Sequence, residues 1–502
     1  MNELLSCEAL TKCYQKDKAA LENVDLHIGF GRIVGLLGPN GSGKTTLIKL
    51  ANGLLQPSAG SIRIAGMTPG PDTKAIVSYL PDADWLPDWM RVEQLVEMFH
   101  EFYADFDPAK ANEMLARLEL EPKARLKTLS KGSKEKVQLI LAMSRAAKLY
   151  LLDEPIGGVD PAARDYILST ILNNYSRECD RHSFHPPHRR YRAHSGRSRL
   201  FEGWPGVRPP QCRRAARDRG HERGCIFPGG IQMLKQLLKY EFKATGRTYG
   251  GLYLALVALA VLSGFSLRSS SKDNFASLLL FAYMVVAVAV AVVSVMTIVT
   301  RFTRNLLGRE GYLMHTLPVT ESQLILSKLI SSVVWMLCSS IVGIFSFAVM
   351  LLALSLNSAA LQQLPELWQK VVEIFREIFR MTGSSGWLWL AFETLNGLVA
   401  LVSSILCIYA ACMIGHQFKK HMVPAGILAF FLLSFLQNWL SSGVSSADML
   451  QAVSDPTLGG VDVSIAAPSA FTTLFGLAVS IAFAAGYFLL TRWLMEHKLD
   501  LE

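Results

Sequence analysis

Gly38-Pro39-Asn40-Gly41-Ser42-Gly43-Lys44-Thr45-Thr46 fits the pattern G-x-x-x-x-G-K-[ST], with Gly38, Gly43, Lys44 and Thr45 at its fixed positions. The glycines let the backbone curl into a nest whose N–H groups point at phosphate oxygens. Lys44 adds a charge for the β- and γ-phosphates, and the Thr45 hydroxyl is placed to ligate Mg²⁺. The surroundings agree. Arg32-Ile33-Val34-Gly35-Leu36-Leu37 reads as a short apolar strand, and Leu47-Ile48-Lys49-Leu50 begins a helix whose N-terminus favours an anion. A glycine turn that matched by chance would lack this strand-loop-helix order. The chain is expected to bind a nucleoside triphosphate.

Working outward, 502 residues are too many for one ordinary domain. The hydrophobic fraction is 51%, yet the first third reads as a soluble protein, which predicts a membrane half. The net charge of +9 is not taken as a nucleic-acid signal, because much of the excess sits in Arg181–Arg223 and beside apolar spans. That basic stretch has no aromatic interleaving and no recognisable module, so no nucleic-acid partner is expected. Eight cysteines without ligand or disulfide-framework spacing suit a reducing cytoplasm. Met1-Asn2-Glu3-Leu4-Leu5 has no basic region or long apolar core, so no cleaved signal is expected.

Three further stretches carry chemistry. Leu21–Ile28 alternates as a half-buried strand does, with Tyr14 just upstream. In Leu129-Ser130-Lys131-Gly132-Ser133, a serine and a glycine open a helix with Val137, Ile140 and Leu141 at helical spacing. Its free N–H groups form an anion site, although an ordinary N-cap would look the same. Lys148-Leu149-Tyr150-Leu151-Leu152-Asp153-Glu154-Pro155 is an apolar run ending in two acids, as a buried parallel strand delivers carboxylates to its C-terminal edge. Asp153 is placed to hold Mg²⁺ directly or through water, and Glu154 to polarise the attacking water.

In this order the motifs resemble the ATP-binding subunit of an ABC transporter, over about Leu5–Tyr175. The resemblance implies that Tyr14 stacks on adenine and that Gly38, Pro39, Asn40, Gly41, Ser42, Gly43, Lys44, Thr45 and Thr46 form the Walker A loop. It makes Asp153 part of Walker B, Glu154 the catalytic glutamate, and Gly157-Gly158-Val159-Asp160 the D-loop. Leu129–Ser133 resembles the signature L-S-G-G-Q, which closes over ATP held by the opposite subunit, so a dimer of ATPase domains is implied, with a second copy or a paralogous subunit. Two motifs depart from the pattern. Lys131 and Ser133 replace a glycine and the glutamine of the signature, and Asp82 stands where the Q-loop usually has glutamine, still able to reach Mg²⁺ or water.

The next strand of such a domain should end in a switch histidine. From Asp180 to Gln232 the chain instead runs through Arg, His, Pro and Gly without helical or strand periodicity, a composition unable to bury a core. One reading is a disordered basic linker touching anionic lipid. The other comes from the genetic code. Reading the DNA one nucleotide later from within the Asp180 codon permits Thr-Val-Ile-Leu-Ser-Thr-His-Leu-Ile, the kind of segment that carries that histidine. Phe201-Glu202-Gly203-Trp204 then permits Leu-Lys-Asp-Gly. We expect two adjacent genes joined by a frameshift, the second starting at Met233, with hydrolysis in this product depending on whether it survives loss of the histidine.

Beyond Met233 the pattern changes. Leu234–Lys243 is amphipathic and basic, fitting an interfacial helix. Apolar runs long enough to cross about 30 Å of hydrocarbon fall near 249–267, 275–300, 329–355, 387–413, 422–441 and 469–491. Lys and Arg precede the first span and follow the second, fourth and sixth, while Ser442–Ala466 has neither, which places both termini in the cytoplasm. The amphipathic stretch Leu361–Arg380, with Lys370, Arg376 and Arg380, is expected outside. Glu393 is the acid expected within the spans, either functional or paired with a neighbouring hydroxyl. Arg309–Val319, between the second and third spans, resembles the segment through which ABC-2-type permeases meet their ATPase; His315 carries no weight as a ligand.

The expected fold is an α/β P-loop NTPase (ABC ATPase) domain over 1–179, a linker over 180–232, and an all-α polytopic membrane domain of about six transmembrane helices over 233–502. The expected function is ATP-driven transport, by ABC-2 resemblance export, across a bacterial plasma membrane, with ATP, Mg²⁺, the lipid bilayer and an unidentified transported substrate as partners. The rivals are a membrane module that senses ATP without transport and an inert fusion.

Overall fold

The computed structural model describes residues 3–15, 18–31, 34–155, 199–202, 230–268, 274–355, 369, 372–373, 376, 386–418, 420–453 and 470–499. Its strands and helices, in chain order, are β1 (Glu3–Gln15), β2 (Lys18–Gly29), β3 (Val34–Leu37), α1 (Lys44–Ala51), β4 (Ala59–Ile64), α2 (Pro71–Ile76), β5 (Val77–Leu80), α3 (Val92–Phe102), α4 (Pro108–Arg117), α5 (Lys131–Met143), β6 (Leu149–Leu152) and β7 (Arg199–Glu202). The long helices follow: α6 (Gly230–Arg268), α7 (Asn274–Phe302), the short α8 (Gly311–Thr316), α9 (Glu321–Ser355), α10 (Gly386–His416), α11 (Met422–Val453) and α12 (Ala470–Lys498).

The chain divides into two units. The first takes in Met1–Gln236, Arg304–Gln323 and Glu496–Glu502, and the second Leu237–Thr303 and Leu324–Met495.

In the first unit β1 is the middle strand of an antiparallel sheet ordered β2-β1-β4, with Leu5 opposite both Ile28 and Ile64. Leu5, Cys7, Leu10, Leu26 and Ile64 pack with Leu47, Leu50 and Ala51 of α1. Leu50 is fully buried, and a wholly buried leucine contributes roughly 1.5–3 kcal/mol. The same contact fixes α1 beneath the loop that precedes it. β5 and β6 pair in parallel, Leu80 opposite Leu152, so both chains leave that ladder at one edge. α3 buries Val92, Leu95, Phe99 and Phe102 along one face, and α4 starts at a proline capped by Asp107, which accepts from the backbone of Ala109 and Lys110.

The strand before the phosphate loop is described over Val34–Leu37, and Arg32 and Ile33 lie outside the described residues. One element in this unit differs from expectation. In the basic stretch, where no strand was expected, Arg199–Glu202 pair antiparallel with β3, Val34 opposite Glu202. Edge pairing is made by backbone N–H and C=O groups, so it needs no alternating side chains. The remainder of 180–229 lies outside the described residues.

The second unit carries most of six helices long and apolar enough to cross a membrane: Gly230–Leu267, Phe275–Leu307, Glu321–Leu354, Leu390–His416, Met422–Ser441 and Leu474–Lys498. Large apolar side chains such as Leu254, Ile344 and Phe435 point outward, as expected where the solvent is hydrocarbon. Inside, Tyr249 stacks on Trp335 and Phe302 on Tyr409, each with ring centroids 4.3 Å apart. α10 and α11 form a tight hairpin. A Cβ on Gly415 would come within 2.6 Å of the Met422 carbonyl and 2.8 Å of Gly426 Cα, so that close approach needs a glycine.

The expected separate interfacial helix at 234–243 is instead the start of one 39-residue helix, α6. Gly246, Gly250 and Gly251 do not break it, because a glycine costs only about 1 kcal/mol in a helix that packing already holds. The third span begins at Glu321 rather than near 329. A charged cluster sits just beyond the ends of the expected spans. Glu241 of α6 is buried against Lys328 of α9 and Arg301 of α7, the latter at 3.2 Å, and Ser332 shares a hydrogen bond with Tyr409. The periodicity of each helix alone gave no sign of this cluster, whose members are far apart in sequence. Among the described residues no hydrogen bond joins Glu393 to a hydroxyl. Of Leu361–Arg380 only Gln369, Val372, Glu373 and Arg376 are described.

Candidate functional site

The phosphate loop sits between β3 and α1. Gly43 occupies the N-cap of α1 at φ 91° and ψ 5°, and a Cβ there would stand 2.5 Å from the Ala20 carbonyl. Left-handed φ and that contact make glycine obligatory, and the turn directs the first N–H groups of α1 into the loop. Gly41, at φ 82°, provides the second left-handed step. Gly38, Pro39, Asn40 and Gly41 are exposed, and Ser42 is half-buried. Lys44 Nζ donates to the carbonyls of Gly38 at 2.8 Å and Pro39 at 3.0 Å, so its charge already lies over the loop.

Thr45 and Thr46 face different partners. The Thr45 hydroxyl is hydrogen-bonded to Asp153, and the Thr46 hydroxyl lies 3.3 Å from that of Tyr14. Tyr14 thus stands beside the loop, 44% exposed, with the Lys12 ammonium 5.7 Å from its ring centroid.

The parallel register of β5 and β6 brings the acids in. Asp153 N–H donates to the Leu80 carbonyl at 2.9 Å, which sets Asp153 beside the Pro81-Asp82 turn. Asp153 is buried, and burial raises its pKa first. The hydrogen bond from Thr45 opposes that, the charge of Asp82 adds to it, and Lys49 and Lys44 oppose it. Its Oδ2 has no hydrogen-bond partner among the described residues. An orphaned buried carboxylate oxygen next to a threonine hydroxyl is an all-oxygen donor set of the kind Mg²⁺ takes while keeping several waters. Glu154 follows, exposed and at φ 47°. A non-glycine residue in the left-handed region is uncommon, and Glu154 shares it with Ala9, Asn23, Ala65 and Glu119.

Ser130 caps α5, its Oγ accepting from Ser133 N–H at 3.2 Å and lying 2.9 Å from Ser133 Oγ. Gly132 lies in the first turn of that helix. No hydrogen bond among the described residues joins Ser130 or Gly132 to the phosphate loop. Asp160 and the rest of Gly157–Asp160 lie outside the described residues. The structure therefore gathers Tyr14, the loop, Asp153 and Asp82 in one place, and leaves the α5 N-terminus apart from them.

A second feature of this unit was only partly read from sequence. The segment 304–323 lies on the groove between α2, β5 and α3. The Tyr103 hydroxyl donates to the Thr316 carbonyl at 2.9 Å, and the Arg145 guanidinium stacks 3.8 Å from the Tyr103 ring while pairing with Asp105. Lys49, on the helix that follows the phosphate loop, sits 5.4 Å from the Tyr312 ring centroid. Lys74 is buried 3.6 Å from Glu321. His315 is buried and pushed down to about 3, by burial first and the nearby Lys74 charge second. The chemistry of Lys49, Lys74 and Glu321 was not singled out from sequence. The only trace was a lone lysine among apolar neighbours in Thr73-Lys74-Ala75-Ile76-Val77.

A strand, a glycine loop that cradles phosphate, a helix and an acid-tipped parallel strand define a P-loop nucleotide-binding protein with a set of membrane-length helices. Known proteins narrow the class. The ABC transporter family model matches residues 21–157. The ATP-binding protein YtrB of Bacillus subtilis is 34% identical over 155 residues, 30% of this chain and 53% of YtrB, so about half of that relative is spanned. The SkfA peptide export ATP-binding protein SkfE of the same organism is 32% identical over 184 residues, 35% of this chain and 76% of SkfE. A solved ATP-binding subunit of an ABC transporter is 30% identical, with a TM-score of 0.32, over 35% of this chain and 75% of that one. The chain belongs to the ABC transporter family through its ATP-binding domain.

Proposed function

We propose that this chain is an ATP-driven exporter in a bacterial plasma membrane, combining an ABC ATPase with an ABC-2-type permease. The observation that carries the reading is the convergence of Lys44, Thr45 and Asp153 under one glycine loop in a chain that also holds six membrane-length helices. Export is supported by relatives whose names record it, among them SkfE and the Nod factor export ATP-binding protein I of Paraburkholderia xenovorans, 33% identical over 171 residues.

In this mechanism the loop N–H groups and Lys44 hold the phosphates, and Tyr14 stacks on the base. Thr45 and Asp153, with Asp82 nearby, would hold Mg²⁺, which supplies charge neutralisation between the phosphates. Glu154 orients the water that attacks the terminal phosphorus, and the left-handed backbone there aims it outward from the strand. Ser130 and Gly132 present the N-terminus of α5 to nucleotide held by a second ATPase domain, with Asp160 at the same junction, which makes the working unit a dimer of ATPase domains. The segment 304–323 carries the change at the nucleotide to the membrane helices. The join within 180–232 is a frameshift between two coding regions, which sequencing of the underlying DNA decides.

The test is ATP turnover by the purified full chain in phospholipid vesicles. Turnover should be lost in Lys44→Ala together with binding. In Glu154→Gln it should fall by about a hundredfold or more, the loss expected when a water-positioning group is removed, while ATP binding is kept. Tight ATP binding without turnover in the parent chain would instead identify a sensing module.

A further inference from the structure

Four of the contacts that hold 304–323 in its seat read sequence unequally, and a further one, from Gln323 Nε2 to the Gly230 carbonyl at 3.0 Å, asks only for a backbone carbonyl. Tyr103 bonds a backbone carbonyl, that of Thr316, which any residue would offer. The Lys49–Tyr312 contact asks only for an aromatic ring. Arg304–Asp88 is an ion pair at 2.9 Å with side chains 61% and 41% exposed, and such surface pairs discriminate little. The fourth contact, Lys74–Glu321, has side chains 4% and 25% exposed at 3.6 Å. Among the described residues Glu321 is the carboxylate within ion-pairing distance of Lys74. The other groups that face Lys74 supply no negative charge. His315 is buried and neutral, its Nε2–H donating to the Leu306 carbonyl at 3.1 Å, and the nearby groove wall is Tyr79, Tyr103, Arg145 and Tyr312.

From this we infer that Lys74 is the selectivity residue of the groove: it accepts a short helix followed by a carboxylate at the first residue of the next helix, and refuses a loop without one. A cation enclosed by aromatic walls, beside an Arg145 that already engages Asp105, keeps its charge only if the incoming segment brings an anion. A loop lacking the acid would leave that charge buried and uncompensated, so the groove discriminates through a penalty on the wrong partner. The occupant is this chain's own 304–323 segment, whose Glu321 sits where Lys74 needs it. The inference rests on the reading of that segment as the link to the membrane helices, and it names the residues that choose the link.

The experiment is backbone hydrogen exchange of residues 308–320 in the full chain, held in phospholipid vesicles, with Lys74→Met, Glu321→Gln, Glu321→Asp and the Lys74→Met/Glu321→Gln double variant. Each neutralising single variant should raise exchange of that segment by roughly tenfold to a hundredfold, since it strands one charge of a largely buried pair. Glu321→Asp should keep most of the protection. The double variant should return to within about threefold of the parent, because no buried charge is left unpaired. Additive single effects in the double variant, or a harmless Lys74→Met, would overturn the inference. Basal ATP turnover, measured on the same samples, should stay within about twofold throughout, because among the described residues neither Lys74 nor Glu321 bonds the phosphate loop, Asp82, Asp153 or Glu154. Its absence from the parent too would count against the ATPase reading alone and leave the exchange result to decide the lock.

Discussion

The phosphate loop and the seat of 304–323 belong to one unit and are built in opposite ways. The loop is exposed, accepts left-handed backbone at Gly41, Gly43 and Glu154, holds Lys44 only against its own carbonyls, and leaves Asp153 Oδ2 without a partner among the described residues. The seat is buried, aromatic and paired: Lys74 with Glu321, Arg145 with Asp105, Tyr103 with Thr316. A site for a small, highly charged ligand keeps donors addressable and carries strain. A seat for a segment of the same chain pairs its charged groups at once, although Tyr79 Oη and Asn305 Oδ1 are buried there without a hydrogen-bond partner among the described residues. The membrane unit follows the second rule in a harsher solvent, with Glu241 buried between Lys328 and Arg301.

That contrast can be broken by mutation. Lys44→Ala should weaken ATP binding by about 3–6 kcal/mol, the worth of two charge-assisted bonds to phosphate, as read by calorimetric titration. Lys74→Met should leave that titration unchanged. Equal losses in both would merge the two regions into one site.

Glu241→Ala should lower the stability of the detergent-purified chain by about 3–5 kcal/mol, because it strands two cations away from water. Thermal unfolding measures it, and Glu241→Gln should lose less. No loss would mean the triad is solvated in practice.

The seat should also loosen in acid. His315 is held near 3 in the seated state against an ordinary 6.5. Between those values the unseated histidine binds a proton that the seated one refuses, so protonation favours release as pH falls below 6.5. The opening equilibrium should grow by up to about tenfold per pH unit over that window, measured as exchange of 308–320 corrected for intrinsic rates. His315→Gln should flatten the dependence. A slope unchanged by that substitution would remove His315 from the account.

Tyr103→Phe, which deletes the bond to the Thr316 carbonyl, should cost the seat about 1 kcal/mol. Arg304→Ala should cost at most about 1 kcal/mol, in keeping with its exposure. Reversal of that order in the exchange data would show that the rim of the seat, not its floor, holds the segment.

What was readable in advance was local. The nest needs glycines a fixed few residues apart, so Gly38–Thr46 could be recognised in isolation. Leu149–Leu152 advertised a parallel strand because an apolar run that ends in two acids has few other homes, although its four residues are half-buried rather than buried. Six spans were countable because hydrocarbon thickness sets helix length. What was missed depends on pairing across the chain. Neither Lys74 nor Glu321 is unusual where it stands, and only the fold brings them to 3.6 Å. Arg199–Glu202 became a strand because β3 offered an open edge, not because its side chains alternate.

By itself the amino-acid sequence determined that this protein grips a nucleotide and places helices in a membrane. Both properties follow from short-range patterns: donor spacing along a backbone, and length of apolar run. The tertiary structure alone decided that the loop between the second and third membrane-length helices lies in the nucleotide-binding unit, and which buried charges meet there. An ion pair has no signature until two distant stretches are folded together, and its energy comes from the burial that folding creates.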